Sequence, residues 1–146
     1  MIERENNTSS MSDLFTIYLQ LNPGRGYLTF EVFNNSPVRG RVPVPNAKIT
    51  VSKALGDNFY ISKMLTTDAN GETDPISLPT VSRSLSLQPG ESRVFSTYQV
   101  SVEAPGFQQK DIYDVQIFDG VTSVQRVPLQ QIEQNGGAVS SRAPME

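Results

Sequence analysis

Asp68, Glu72 and Asp74 fall within seven residues, around an Asn70-Gly71 pair, in the stretch TTDANGETDPISLP at 66–79. Carboxylates so spaced have three uses: they ligate a hard cation, they act as a catalytic acid pair, or they cap a chain reversal. A calcium loop of the EF-hand type wants Gly at its sixth position and Glu at its twelfth. Counted from Asp68, Gly71 is fourth and Pro79 is twelfth. Asn-Gly supplies the positive φ angles of a tight reversal, and an Asp just before it accepts backbone N–H groups, so a turn accounts for every residue here. Asp111, Asp114 and Asp119 form a second group of acids near the last strands. Glycan hydrolysis by any pair of them needs a separation of about 5 to 5.5 Å or about 6.5 to 9.5 Å across a sugar. All six acids fall at strand ends, where solvated acids are common, and the expectation is no enzyme.

The chain has neither Cys nor His. Thiol nucleophiles, zinc sites built on Cys or His, His-ligated haem and imidazole-activated hydroxyls are thereby excluded. No catalytic residue, cofactor or metal ligand is assigned. A net charge of -3, with Lys and Arg scattered, argues against nucleic acid as a partner. The start, MIERENNTSSMSD, is polar and acidic, unlike a secretory signal, and no apolar run approaches the ~20 residues that span a bilayer. The expected route out of a cell, if any, is lysis, non-classical export or passage as part of a longer chain.

The elements that would position these residues are short strands. Ten Pro and ten Gly lie between apolar runs within 146 residues, which is the punctuation of an all-β chain. In GYLTFEVF at 26–33, Leu28, Phe30 and Val32 alternate with Thr29 and Glu31; in AKITVSKA at 47–54, Ala47, Ile49 and Val51 alternate with polar residues. NFYISKMLTT at 58–67 is a less regular strand, and YQVSVEA at 98–104 is the most regular, with Tyr98, Val100, Val102 and Ala104 on one side. NNSPVRGRVPVPN at 34–46 reads as a loop or an edge because Pro37, Pro43 and Pro45 each lack a donor. LPTVSRSLSLQPGESRVF at 78–95 reads mostly as loop, anchored by Leu85 and Leu87. Asp119-Gly120 between YDVQIF at 113–118 and VTSVQRVPL at 121–129 predicts a two-residue type I′ hairpin, with Tyr113 facing the same side as Val115 and Ile117.

DLFTIYLQL at 13–21 fits either period: Phe15, Ile17, Leu19 and Leu21 alternate, while Leu14, Ile17, Tyr18 and Leu21 make a helical stripe with Ser12 as N-cap. The expected organisation is a disordered N-terminus at 1–11, a lead-in helix or strand at 12–25, a β-sandwich at 26–129 and a flexible tail at 130–146. One domain of this size buries roughly 65% of its unfolded surface without a metal or disulfide.

The strand ending in Thr67-Asp68, the Asn70-Gly71 turn, Leu78-Pro79 and then YQVSVEAPGF at 98–107 resemble carboxypeptidase regulatory-like domains. These are transthyretin-like (prealbumin-like) sandwiches related to the B-type repeats of collagen adhesins. The resemblance spans about residues 26–129. More narrowly, NPGRGYLTFEV, VPVPNAKITV, LPTVSRSLSLQPGESRVFSTYQVSVEAPGF and VQIFDGVTSVQRVPL are similar to the accessory domain of spore cortex-lytic enzyme precursors and related cell-wall proteins of spore-forming Firmicutes. The resemblance implies an all-β, about seven-stranded antiparallel β-sandwich of Greek-key type, with helix at 13–21; in those precursors the domain sits beside a catalytic domain, and what this chain shares with them is the accessory module. Adhesin B-type domains can also carry a Lys-to-Asn or Lys-to-Asp isopeptide bond; Lys48 and Lys53 are the plausible lysines, but VTSVQRVPL offers no Asn or Asp, so no crosslink is expected.

The functional expectation is a non-catalytic binding or positioning module of a spore or cell-envelope assembly, with a protein or wall component as partner. Its alternative is a self-assembling structural subunit of an appendage, coat or phage-like particle, and a carboxylate-based glycan hydrolase stands third. The out-of-phase aromatics Tyr27, Phe33 and Tyr60 are expected either to be covered by the 13–21 segment or to contact a partner; a partner surface would add Arg39, Arg41, Leu85 and Leu87 from loops 34–46 and 79–97.

Overall fold

The structure, a computed structural model, describes residues 13–55, 60–84 and 94–132. Among the described residues a helix, α1 (13–21), precedes eight strands: β1 (Gly24–Ser36), β2 (Gly40–Pro43), β3 (Lys48–Ala54), β4 (Tyr60–Thr66), β5 (Ile76–Thr80), β6 (Ser96–Glu103), β7 (Lys110–Ile117) and β8 (Thr122–Pro128). They form two four-stranded sheets. In the first, β1 carries β2 and β5 in succession along one edge and β8 along the other; the second runs β4-β3-β6-β7. The inward residues read from the sequence meet between them. Leu28, Phe30, Val32 and Leu78 face Ile49, Val51, Val100 and Val102, all buried, as strands of period two require when one face is covered.

Eight strands form because the proline-rich stretch supplies one. β2 pairs with the end of β1, Phe33 opposite Pro43 and Ser36 opposite Gly40. Pro43 is tolerated because β2 is an edge. The region from Leu78 is likewise strand before it is loop, since β5 runs antiparallel to β1 with Arg25 opposite Pro79. Leu85 and Leu87, read as anchors, lie outside the described residues, as do the expected disordered N-terminus 1–11 and, of the expected flexible tail 130–146, residues 133–146. Residues 130–132 are described and held by main-chain bonds from Gln108 N–H to Gln130 O and from Ile132 N–H to Gly106 O.

The Asp119-Gly120 turn is present, but it does not close a hairpin. β7 pairs with β6 in one sheet, and β8 lies parallel to β1 in the other, with Tyr27 opposite Thr122 and Phe33 opposite Pro128. Gly120 has φ +77° while Asp119 does not have positive φ. That is the second central position of a type II turn; a type I′ turn would need positive φ at both. The turn is held to β1: Gly120 N–H donates to Arg25 O at 2.8 Å and Tyr27 N–H to Val121 O at 2.9 Å.

Tyr113 also departs from the expected phase and is 64% exposed. Between the pairs Tyr98–Val115 and Val100–Ile112 the register shifts, so Tyr113 and Asp114 together oppose Gln99. This bulge, with Asp114 at φ 60°, turns Ile112 inward and Tyr113 out.

The segment 13–21 is helical. Its inner side is Leu14, Tyr18 and Leu19, whereas Ile17 and Leu21, expected inward, are exposed. Tyr18 sets that rotation: its hydroxyl donates to Tyr98 Oη at 2.9 Å, and Tyr98 donates in turn to Pro79 O at 2.6 Å. Asn22 closes the helix by donating to Tyr18 O through both its backbone N–H and its side chain, and accepts the Ser96 hydroxyl.

Candidate functional site

The acid-rich stretch folds as a turn in which one acid, Asp68, serves the backbone. Asp68 Oδ1 accepts Asn70 N–H at 2.9 Å and Glu72 N–H at 3.0 Å, and Gly71 N–H donates to Asp68 O. The loop then lies on β1 in the gap between β2 and β5: Val32 N–H donates to Gly71 O and Thr73 N–H to Phe30 O. Gly71 has φ +75°, and a Cβ there would stand 2.3 Å from Val32 O, so both conformation and close approach require glycine. Among the described residues no group of three acids converges in a way that would hold a metal ion.

The second group of acids is dispersed as well. Asp111 accepts Gln109 Nε2 at 3.0 Å, Asp114 sits on the bulge, and Asp119 accepts Arg25 N–H at 3.0 Å and Arg83 N–H at 3.1 Å. Those two bonds, that from Arg83 first, hold the Asp119 carboxyl below its usual value. The Tyr98 hydroxyl is shifted upward, chiefly by burial and then by its bond with Tyr18. Lys48 is exposed, and Lys53 Nζ donates to Thr97 O at 2.9 Å.

Outward-facing residues of β1 form a continuous strip with those of its neighbours. Arg41 on β2 places its guanidinium 3.9 Å from the centre of the Phe33 ring and 2.8 Å from Glu31 Oε1. Arg126 on β8 reaches the same oxygen at 3.3 Å. Glu31 thus bridges two arginines, while Phe33 is stacked beneath one of them, an arrangement worth about 0.5–1 kcal/mol at an exposed site. Further along the face, Tyr27 is 39% exposed and Val124 is 44% exposed. α1 bonds to the buried Tyr98 hydroxyl through Tyr18 and leaves Tyr27 open.

Of the residues expected on the partner surface, Tyr27, Phe33 and Arg41 come together on this strip. Arg39 lies on the β1–β2 turn, where Ser36 Oγ accepts its N–H at 3.1 Å. The backbone of Tyr60 opens β4 opposite Ala54; its side chain, like Leu85 and Leu87, lies outside the described residues. Glu31, Arg126 and Val124 complete the strip and escaped the sequence reading, because their proximity depends on the parallel β1–β8 register. A polar cleft of about 440 Å³, lined by Asn34, Asn35, Gln108, Lys110 and Gln130 among others, opens at one end of the sandwich. Its signal in the sequence was the doublets Asn34-Asn35, Gln108-Gln109 and Gln130-Gln131.

No family model and no curated protein matches the chain. Among solved structures it is similar to the minor pilin of the Gram-positive pathogen Streptococcus agalactiae, with 15% identity and a TM-score of 0.51 over 82% of this chain and 49% of the pilin. The chain therefore spans about half the length of that pilin. It is also similar to chlorocatechol 1,2-dioxygenase from Pseudomonas putida, with 15% identity and a TM-score of 0.44 over 73% of this chain and 61% of the enzyme. At this identity the likeness to the pilin is one of fold, and the fold is an all-β sandwich of two sheets.

Proposed function

We propose that the chain is a non-catalytic module that docks a protein partner and so positions itself in a bacterial spore or cell-envelope assembly. The observation that carries this reading is the Phe33–Arg41–Glu31–Arg126 strip on the outer face of the first sheet. Arg and aromatic residues dominate protein interfaces because each adds large contact area and fixed geometry. Here the arginines are held in place before any partner arrives, which lowers the ordering cost of binding. Tyr27 and Val124 extend the strip with apolar surface. Asp68, Asp111 and Asp119 are occupied in turns and local bonds, which supports a role without catalysis. The transthyretin-like character and the spore or wall setting rest on the resemblance of the strand and loop segments.

A second reading, a self-assembling structural subunit of an appendage or coat, is favoured by the fold likeness to a pilin. One experiment separates the two. A photo-crosslinking residue is placed at Tyr27, with a control at exposed Lys63 on β4, and the purified chain is irradiated with a spore or cell-envelope extract. Discrete adducts with other proteins, from Tyr27 and not Lys63, are expected. Adducts of the chain with itself, together with ordered high-mass particles in light scattering, would replace the first reading by the second. No adduct from Tyr27 and a monomer in scattering would remove both.

A further inference from the structure

Three carboxamide doublets, Asn34-Asn35, Gln108-Gln109 and Gln130-Gln131, arrive at one end of the sandwich from distant parts of the chain. Residues 129–132 bring them together by crossing from one sheet to the other. Leu129 N–H donates to Phe33 O at 2.7 Å on the β1 side; Gln130 O accepts Gln108 N–H at 2.8 Å and Ile132 N–H donates to Gly106 O at 2.9 Å on the β6–β7 side. The cleft of about 440 Å³ described above lies along this crossing. A neighbouring depression of about 400 Å³ shares Asn34 and adds Phe107 and Gln131. A third, of about 460 Å³, shares Phe107 with the second and Gln109 with the first.

The lining is unusual in its chemistry. Asn34 Nδ2 donates to Leu129 O at 2.8 Å, and Gln109 Nε2 donates to Ser101 Oγ and Asp111 Oδ1. Among the described residues, the side chains of Asn35, Gln108, Gln130 and Gln131 make no hydrogen bond to protein. Each therefore presents a free donor pair and a free acceptor on one plane. Charge is sparse: Lys110 in the first depression, Arg39 in the second, and Lys48 opposed by Glu103 in the third. Phe107 is half-buried and, with Pro43, Pro45 and Pro105, offers flat apolar surface beside the amides.

We propose that this end of the sandwich binds a neutral, hydroxyl-rich oligosaccharide. A carboxamide answers a pair of adjacent hydroxyls because it donates and accepts at once and carries no charge at any working pH. An anionic ligand would find one cation per depression, and an apolar one would strand the amides without partners. Rings of Phe and Pro complement the C–H faces of a pyranose, and the volumes suit a ligand pocket, which spans about 300–1,000 Å³. The main-chain bonds of 129–132 to both sheets fix the backbone from which the Gln108 and Gln130 amides project. This site lies apart from the Phe33–Arg41 strip and does not depend on a protein partner there.

The test uses the full chain labelled with ¹⁵N and titrated with cellotetraose, chitotetraose and tetragalacturonate. Saturable shifts of the Asn35, Gln108 and Gln130 side-chain amides are expected with at least one of the two neutral oligosaccharides and not with the anionic one. The arm that responds distinguishes a plain hexose glycan from an N-acetylhexosamine glycan. The triple variant N35A/Q108A/Q130A should weaken binding by about tenfold or more, the loss of several hydrogen bonds, with its unfolding midpoint unchanged. Should the triple variant fail to fold, Q108A alone, with the remaining amide shifts read directly, answers the same question. Absence of saturable shifts with both neutral sugars, shifts confined to other residues, or undiminished affinity after the amides are removed would overturn the proposal. So would binding of a proline-rich peptide at these residues without any response to sugar.

Discussion

Thr67 is 3% exposed, and its hydroxyl is used twice: it donates to Val44 O and accepts Ala47 N–H, both at 2.8 Å. The two loops that flank β3 and β4, paired through Asn46 N–H to Thr67 O and Thr67 N–H to Ala47 O, are joined a further time at this atom. Replacing the hydroxyl by a methyl keeps the volume and leaves a buried donor and a buried acceptor without partners, at about 1–3 kcal/mol for each. Thr67→Val is therefore expected to lose about 2–6 kcal/mol of unfolding free energy in urea titrations, while Thr67→Ser, which keeps the oxygen, should retain most of the parent's stability. Equal losses in the two variants would mean that the methyl, not the hydroxyl, matters. Thr80 uses the same device between the sheets, donating to Ile117 O at 2.6 Å and accepting Ser96 N–H at 3.0 Å. Polar residues buried in an all-β core thus do the joining that alternation alone does not provide.

At the scale of elements, the bulge on β7 is held by a residue that is not glycine. Asp114 at φ 60° occupies the left-handed region, which costs an L-residue about 1–2 kcal/mol, less for Asp than for a branched side chain. In a regular strand Val outranks Gly; here the order should reverse. Asp114→Val is expected to lose about 1–2 kcal/mol and Asp114→Gly to lie within about 1 kcal/mol of the parent, both read from chemical unfolding. A Val variant as stable as the Gly variant would show that the register shift is absent in solution. The same bulge explains what the sequence could and could not tell. Periodicity identified the inward residues of β1, β3 and β6, because alternation is local and one face of each strand is covered. It missed Tyr113, because one extra residue inverts every phase beyond it. Turn chemistry located Asp119-Gly120 but not its partner strand, since a reversal of that composition can fold back within a sheet or cross to another. For the outer strip, alternation exposed Tyr27 and Phe33, whereas Arg41, Glu31 and Arg126 meet only once the registers of β1 with β2 and β8 exist. The carboxamide cleft depends on pairing between segments about twenty and seventy residues apart, which no local pattern encodes.

For the whole molecule, β1 is the strand on which every other strand of the first layer pairs, and the two ends of the sandwich are under different control. One end is closed by residues 129–132, hydrogen-bonded to both sheets. At the other, Asp119 ties the crossing from β7 to β8 to the start of β1 through Arg25 and to the segment after β5 through Arg83. The bonds from those two N–H groups lower its folded pKa below the unfolded value of 3.8. A carboxyl shifted in this direction binds protons less readily when folded than when unfolded, so its contribution to stability is present above the unfolded pKa and is lost as pH falls through the folded one. Because the side chain is close to solvent, the effect is screened and modest. Asp119→Asn, which keeps the shape and removes the charge, should melt below the parent at neutral pH, and the gap should narrow as pH is lowered through and below about 4. Thermal melts of both proteins from pH 7 to pH 2, with a carboxyl titration of Asp119 by NMR, provide the measurement. A constant gap across that range, or a titration at or above the ordinary aspartate value, would mean that the tie between the layers does not rest on this charge.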